Sequence, residues 1–180
     1  MDKSARIGLI ALGLLGVWTW TRMTNLQAFL ALLRQAESGD DYSVIAGGDH
    51  FDDFSEHPFI VDPQRPRPLG TTASGAYQIT RPTWIMARDG AGLADFSPTS
   101  QDAAGLWILR YKVPGHNAVN PEGTGNYELV QAGNFDAAMA ALGPEWESLS
   151  KMIAGRYPIT LAQAREIIVA QGGVYASASA

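Results

Sequence analysis

One long turn-rich segment interrupts the helical patterning of this sequence and sets its fold class. Before the break, apolar residues recur with helical spacing over residues 24–38, and helical patterning returns beyond it. Between Gly39 and Gly75 the chain carries a Gly-Gly pair and four prolines. Strand-like alternation is limited to residues 42–46 and 76–79. This order of helical and turn-rich segments predicts an α+β fold: a mainly helical two-lobed domain with a small β-rich lobe after the first helix.

Boundary signals define the later helices. Ser97-Pro98 combines an N-cap with a proline in the first turn and opens a helix to about residue 112. Another helix is predicted over residues 135–142. Thr160-x-x-Gln163 is a capping box that opens a last helix ending at Gly172-Gly173. 

We therefore expect one domain, a monomer, over residues 23–173. An Ala/Ser-rich tail at residues 174–180 is predicted to be disordered.

Composition excludes several classes of protein. Hydrophobic residues make up 46% and charged residues 17%, which is ordinary globular usage. The chain has no cysteine, so disulfide scaffolds and thiolate metal sites are excluded. Its net charge of -5 argues against a nucleic-acid partner, because phosphates require a positive surface. The three histidines are too scattered for a metal site, so we expect neither a metal nor a cofactor.

An apolar run, Ile7–Trp20, follows the positive residues Lys3 and Arg6. A helix of that length spans about 21 Å, short of the roughly 30 Å hydrocarbon core of a bilayer. No small-residue cleavage site follows it. We interpret residues 1–22 as an uncleaved hydrophobic signal that anchors marginally in the inner membrane and directs the domain to the periplasm. The alternative is a buried N-terminal helix of a soluble protein.

Glu37 is the candidate catalytic acid, in the last turn of the first helix. The negative end of the helix dipole and the apolar neighbours Leu33 and Ala36 disfavour its ionised form. Cleavage of a glycosidic bond needs a carboxylic acid that keeps its proton near neutral pH. Taken alone, a solvated glutamate at a helix end is the commoner case.

A second motif, Ser74-Gly75-Ala76-Tyr77-Gln78, favours the catalytic interpretation of Glu37. Glycine allows the backbone to approach a ligand closely, while tyrosine and glutamine offer a face for sugar stacking and amide hydrogen bonds. Tyr77 is the aromatic residue expected to contact a sugar. The three other candidates, Trp84, Trp107 and Trp146, lie in helical patterns and are predicted to be core residues.

Glu37-Ser38 followed by Gly75-Ala76-Tyr77-Gln78 resembles the paired motifs of lytic transglycosylases with a lysozyme-like fold. The nearer resemblance is to endolysins of the phage lambda type, and it covers roughly residues 25–173. The blocks that carry it are residues 42–48, 51–58, 72–78 and 95–103, and more loosely 146–149 and the closing helix.

The resemblance implies a lysozyme-like fold and cleavage of peptidoglycan glycan strands during host cell lysis. The bond cut would be the β-1,4 bond between N-acetylmuramic acid and N-acetylglucosamine, leaving a 1,6-anhydro end. Glu37 would act first as acid and then as base. The residues implied to bind the substrate are Ser38, Ser74, Gly75, Tyr77, Gln78 and Tyr157.

The sequence is also compatible with other functions. Hydrolytic phage lysozymes carry an aspartate or cysteine nine residues after their glutamate, where this chain has Ala46. Asp49, Asp52 and Asp53 are interpreted as solvated loop acids, with Asp49 a minor candidate for electrostatic support. The alternatives are a hydrolytic lysozyme, a membrane-anchored virion muramidase acting in entry, and a glycan-binding module without catalysis. His57, without partners at ligand spacing, is predicted to pack a loop.

Overall fold

The computed structural model describes residues 24–67 and 69–176. The predicted hydrophobic segment at residues 1–22 and the end of the predicted tail, residues 177–180, lie outside the described residues. Residues 174–176 pack on the helical body, where Tyr175 contacts the ring of Phe135 edge-on. In the described ranges, no helix combines the length and apolar character needed to cross a membrane.

The described chain is mainly helical. Its helices are α1 (24–38), α2 (Pro58–Val61), α3 (Arg81–Ala91), α4 (Pro98–Tyr111), α5 (Asn126–Gln131), α6 (Phe135–Leu142), α7 (Glu147–Ile153) and α8 (Leu161–Ala170). From α3 onward, each helix packs against the next along the chain. The predicted helices at 98–112, 135–142 and after Thr160 are confirmed, and both hydrogen bonds of the Thr160 capping box are present.

Helix α1 lies at the centre of the core. Leu26, Phe29 and Leu33 are buried, and the rings of Phe29 and Phe135 stack with centroids 6.2 Å apart. Asn25 ties the helix to the end of the chain: its Nδ2 donates to the carbonyl of Val174 at 3.2 Å, and its Oδ1 accepts from the Val174 amide at 2.7 Å. Because its apolar side chains are buried and its first turn is tied to the end of the described chain, α1 supports the residues in its last turn.

The predicted β-rich lobe is not confirmed as a sheet. Residues 39–80 contain isolated antiparallel bridges, which join Val44 to His50, and Ser74 to both Ile45 and Ile79. Extended backbone is interrupted because turns with positive φ recur, as at Gly47 (φ 104°). The alternation at 42–46 and 76–79 is therefore too short to build paired strands.

Buried aromatic and imidazole groups, rather than a sheet, stabilise this segment. His57 is fully buried, its Nε2–H donates to the carbonyl of Ile79 at 3.0 Å, and its Nδ1 accepts from the Phe59 amide at 3.3 Å. Burial lowers the pKa of His57 to about 4, so the ring is neutral. The prediction that His57 packs a loop is confirmed. The predicted core positions of Trp84, Trp107 and Trp146 are confirmed as well.

The side-chain amide of Gln101, in the first turn of α4, connects three loops. Gln101 is fully buried, and its Oε1 accepts from the Ala76 amide at 2.8 Å. Its Nε2 donates to the carbonyls of Tyr42, at 3.0 Å, and Phe96, at 2.9 Å. Gly75 lies directly against this amide, since a Cβ at that position would come within 2.1 Å of Gln101 Oε1.

Tyr77 joins a second polar network beside the first. Its hydroxyl donates to Asp102 Oδ1 at 2.6 Å and accepts from Arg34 Nη1 at 3.1 Å. Tyr42 donates to the same carboxylate oxygen at 2.8 Å, and Trp146 Nε1 donates to the Tyr77 carbonyl at 3.0 Å. The turn at 75–78 is thereby fixed to α1, to α4 and to the start of α7.

Replacing Gly75 by alanine tests the contact with Gln101. We expect Gly75→Ala to lower the free energy of unfolding by about 3 kcal/mol, because the methyl group displaces a buried, hydrogen-bonded amide. Gly92→Ala is the matched control: Gly92 also has positive φ (67°), but a Cβ there meets nothing within 4 Å. Its expected loss is about 1 kcal/mol, from backbone strain alone. Denaturant unfolding measures both, and equal losses would contradict the packing argument.

The Tyr77 hydroxyl can be tested in the same way. Tyr77→Phe removes two hydrogen bonds and leaves the Asp102 carboxylate with one donor fewer, so we expect a loss of about 1–2 kcal/mol. Tyr111 is the control, because its hydroxyl has no hydrogen-bond partner within the described residues, and Tyr111→Phe should change stability by less than about 0.5 kcal/mol. Thermal unfolding of both variants distinguishes them, and an unchanged melting temperature for Tyr77→Phe would show that the Tyr77 hydroxyl contributes nothing to stability.

Candidate active site

A polar cavity of about 250 Å³ lies at the C-terminal end of α1. One wall is the last turn of the helix, with Glu37 and Ser38, and the opposite wall is the turn at residues 44–48. Gln78 lies on the same cavity. Glu37 is the one carboxylate among the lining residues that the structure describes. The cavity therefore brings the predicted acid together with residues from both motifs.

Burial raises the pKa of Glu37 above its ordinary value of 4.5, and this is the largest effect on the group. Two groups from α7 oppose it: the Ser148 hydroxyl, which donates a hydrogen bond to Glu37 Oε1, and the ammonium of Lys151. The Glu147 carboxylate adds a smaller effect in the same direction as burial. Glu37 therefore holds its proton more strongly than a solvated glutamate at a helix end.

Tyr157, which the sequence analysis names as a substrate-binding residue, lies beside Glu37, and its hydroxyl is engaged by the backbone. The hydroxyl donates to the Ala36 carbonyl in the last turn of α1. Burial, and secondly the nearby carboxylate of Glu37, raise the pKa of Tyr157. Tyr157 thus satisfies a helix-end carbonyl and holds the turn that carries Glu37.

Ser38 and Gln78 line the cavity while their side chains also hold the local backbone. Ser38 Oγ donates to the Arg34 carbonyl at 3.1 Å and accepts from the Asp41 amide at 3.0 Å. Gln78 Nε2 donates to the Gly75 carbonyl at 3.0 Å. The Gln78 backbone has φ 48°, which is uncommon for a residue other than glycine. Both predicted residues are placed at the site, and Gln78 occupies a strained position there.

The sugar-stacking role predicted for Tyr77 is wrong. Its side chain is fully buried in the hydrogen-bond network with Asp102, so no face of the ring is available to a ligand. Ser74 is likewise fully buried, and its hydroxyl donates to the Thr72 carbonyl at 3.3 Å. Gly75 is buried against Gln101. These three residues support the wall from behind and do not line the cavity, so their predicted contact with substrate is corrected.

Ser148 was not among the predicted site residues. It lies 111 residues from Glu37 along the chain, so no local pattern joins them. The one available signal was the weak resemblance over residues 146–149, which places Ser148 in a shared block. Contacts of this kind depend on how α7 packs at the end of α1, which sequence spacing does not reveal.

The acids of the turn-rich segment do not supply a second carboxylate to the cavity. Asp49, Asp52 and Asp53 are exposed, which confirms their interpretation as loop acids. Ala46, nine residues after Glu37, lines the cavity instead. The group at this position is a methyl group, which can neither accept a proton nor stabilise a positive charge.

A second polar cavity, of about 190 Å³, begins on the other side of Gln78. Thr80, Thr83 and Asn117 contribute to its lining, together with the ion pair between Lys112 and Glu145. Gln78 lines both cavities.

Comparison with known proteins gives consistent matches. A sequence model of the Endolysin family matches residues 27–175. The endolysin of Escherichia phage lambda is 39% identical over 132 residues, which are 68% of this chain and 75% of that protein. The endolysin of Escherichia phage P2 is 30% identical over 144 residues, covering 69% of this chain and 79% of that protein.

Solved structures agree with the sequence matches. The lysozyme from bacteriophage lambda superposes with a TM-score of 0.62 at 28% identity, and the same enzyme complexed with a chitohexasaccharide gives 0.60 at 26% identity. Each comparison covers 84% of this chain and 96% of the other. The predicted lysozyme-like fold is confirmed. With a family match across most of its length and an acid placed in a cavity at the end of its central helix, this chain belongs to the endolysin family.

Proposed function

We propose that this endolysin degrades peptidoglycan for host cell lysis by acting as a lytic transglycosylase. The observation that carries the proposal is the isolation of Glu37, a half-buried carboxyl with a raised pKa and with no second carboxylate on its cavity among the described residues. A hydrolytic glycosidase ordinarily uses two carboxylates, one as acid and the other as base or nucleophile. A transglycosylase needs one, because the substrate supplies the nucleophile.

The reaction proceeds in two proton transfers through the same side chain. Protonated Glu37 gives its proton to the oxygen that bridges N-acetylmuramic acid and N-acetylglucosamine, and the bond from that oxygen to C1 breaks. The 6-hydroxyl oxygen of the muramic acid then bonds to C1, and its proton passes to the Glu37 carboxylate. The products are a 1,6-anhydro end and a free 4-hydroxyl. No water is consumed, and Glu37 returns to its protonated form.

The surroundings of Glu37 suit both transfers. Burial favours the neutral acid needed for the first step, while Ser148 and Lys151 stabilise the carboxylate needed for the second. The pKa of Glu37 is raised, but because these effects oppose each other the side chain is not held permanently in its protonated or its ionised form. A general acid–base group works best when its pKa lies near the operating pH.

The glycan itself is proposed to lie across the cavity and past Gln78. The lambda lysozyme has been solved with a chitohexasaccharide, and this chain shares its fold. Two polar cavities on either side of Gln78 give an extended saccharide places to bind along one surface. Ser38 and Gln78 are the predicted substrate residues that remain on this surface, with Tyr157 behind the acid.

Export is a separate part of the proposal. We keep residues 1–22 as an uncleaved signal that brings the domain to the periplasm and tethers it to the inner membrane. The support is the positive residues before an apolar run too short for a stable span. The glycan strands of the cell wall are then the partner, and the enzyme acts as a monomer.

Replacement of the acid tests the proposed chemistry. Glu37→Gln should reduce the release of soluble muropeptides by about 10³-fold or more, because an amide of the same shape cannot donate the proton. Glu166→Gln, which changes an exposed glutamate on α8, is the matched control and should retain full activity. Mass spectrometry of the wild-type products should find 1,6-anhydro ends. Reducing ends, which are heavier by one water, would show that the enzyme hydrolyses the bond and is not a transglycosylase.

The raised pKa also predicts how stability varies with pH. The folded protein holds the Glu37 proton more tightly than the unfolded chain, so stability due to this group falls as pH rises from the unfolded pKa through the folded pKa. Glu37→Gln does not titrate, so this variant should be more stable than the wild type at pH 7. The difference should vanish well below pH 4.5, where both states of the wild type are protonated. Denaturant unfolding as a function of pH measures it; a difference that widens toward acid would refute the direction of the shift.

A further inference from the structure

We infer that Ser148 is a positioning residue for the acid: by donating its hydroxyl proton to Glu37 Oε1, it keeps the transferable proton on Oε2. The inference rests on the proposed function, in which Glu37 is the acid and then the base. It assigns a role to a residue of the last third of the chain. It also specifies which of the two carboxyl oxygens performs the chemistry.

Ser148 approaches the acid from a separate element. It lies in the first turn of α7 (Glu147–Ile153) and is 5% exposed. Its hydroxyl meets Oε1 of a side chain carried by α1. A hydroxyl has one proton to donate, so the direction of this hydrogen bond decides which carboxyl oxygen can carry the proton of the acid.

Two arrangements of this hydrogen bond are possible when Glu37 is protonated. In the first, Ser148 donates to Oε1 and the carboxyl proton is on Oε2. In the second, the proton is on Oε1 and is donated to Ser148 Oγ, away from a substrate. When Glu37 is ionised, only the first direction exists, because a carboxylate has no proton to give.

The environment of Ser148 favours the first arrangement. Within residues 24–67 and 69–176, the Ser148 hydroxyl has no hydrogen-bond acceptor other than Glu37. If it accepted the Glu37 proton, its own proton would be buried without a partner, which is unfavourable. Tyr157 does not compete for Oε1, because its hydroxyl is used by the Ala36 carbonyl. The same donor therefore serves Oε1 in both states of the acid.

The titratable groups around Glu37 do not determine which of its two carboxyl oxygens carries the proton. Lys151 and Glu147, both on α7, act on it with opposite sign, and their side chains pair with each other at 2.8 Å. Tyr157, from the segment after α7, is the remaining titratable neighbour. Of the described neighbours Ser148, Lys151, Glu147 and Tyr157, only Ser148 makes a hydrogen bond to the Glu37 carboxyl.

Ser148→Ala in the full chain gives different results for the two arrangements. If Ser148 donates, its removal takes a hydrogen bond from the carboxylate, and the pKa of Glu37 should rise by about one unit. If Ser148 accepts from the protonated acid, its removal takes a hydrogen bond from the protonated and the ionised form alike, and the pKa should change little. Carbon-13 NMR of labelled glutamate carboxyl groups measures the titration, and the resonance missing in Glu37→Gln identifies the group.

Kinetics provide the second readout. Without Ser148 the proton is free to occupy either oxygen, so we expect kcat to fall about tenfold while KM stays within about twofold. The alkaline limb of the pH profile should move upward together with the pKa. Ser148→Thr, which keeps the hydroxyl, should recover most of kcat. Ser150→Ala, an exposed serine on the same helix, is the matched control and should alter neither quantity.

Each outcome has a defined meaning. A lowered or unchanged pKa in Ser148→Ala overturns the inference, as does an unchanged kcat. If Ser148→Ala does not fold, Ser148→Cys replaces it: the thiol fills the same space but is a weak donor, so a smaller rise in pKa is expected. Failure of the proposed function is seen separately, as reducing ends in the products or as activity in Glu37→Gln, and neither changes the titration result.

Discussion

The side-chain amide of Gln101 is the interaction on which the arrangement of the site depends. It is buried with both of its polar atoms satisfied, and its three partners are backbone groups of Tyr42, Ala76 and Phe96. A buried amide with all its hydrogen bonds made specifies one arrangement of the loops around it. Those loops lead into the turn at 44–48 and to Gln78, which face Glu37 across the cavity. One residue of α4 thus determines the shape of a wall to which it does not itself belong.

The acid and its electrostatic environment come from different parts of the chain. Glu37 is carried by α1, whose apolar side chains are part of the core. Ser148, Lys151 and Tyr157 come from α7 and the segment after it. The position of the carboxyl is therefore set by α1, while its pKa depends on side chains from another part of the chain. It also makes the folded state less stable at neutral pH than it would be with an uncharged residue at position 37. Such a loss is common where a site must hold a group in an unfavourable state.

Local signals in the sequence predicted the helices and the acid but not the contacts between distant segments. The caps at Ser97 and Thr160 and the spacing of Leu26, Phe29 and Leu33 each depend on a few neighbouring residues, and the structure confirms them. The predicted β-rich lobe contains isolated bridges and is not confirmed as a sheet, because positive-φ turns interrupt the short alternating pieces. Tyr77 was misassigned because neighbouring residues of a turn can face opposite sides, and here Gln78 lines the cavity while Tyr77 enters the core. Ser148 had no local signal at all.

The hydrogen bond from Tyr157 to the Ala36 carbonyl has a consequence for the order of synthesis. Translation produces α1 early, but the Ser148 and Tyr157 side chains that contact its last turn are made more than a hundred residues later. A chain that ends before α7 lacks both hydroxyls, so Glu37 Oε1 and the Ala36 carbonyl are without the donors that they have in the folded protein. The hydrogen-bonded arrangement around Glu37 is therefore complete only once the chain has been synthesised through residue 157.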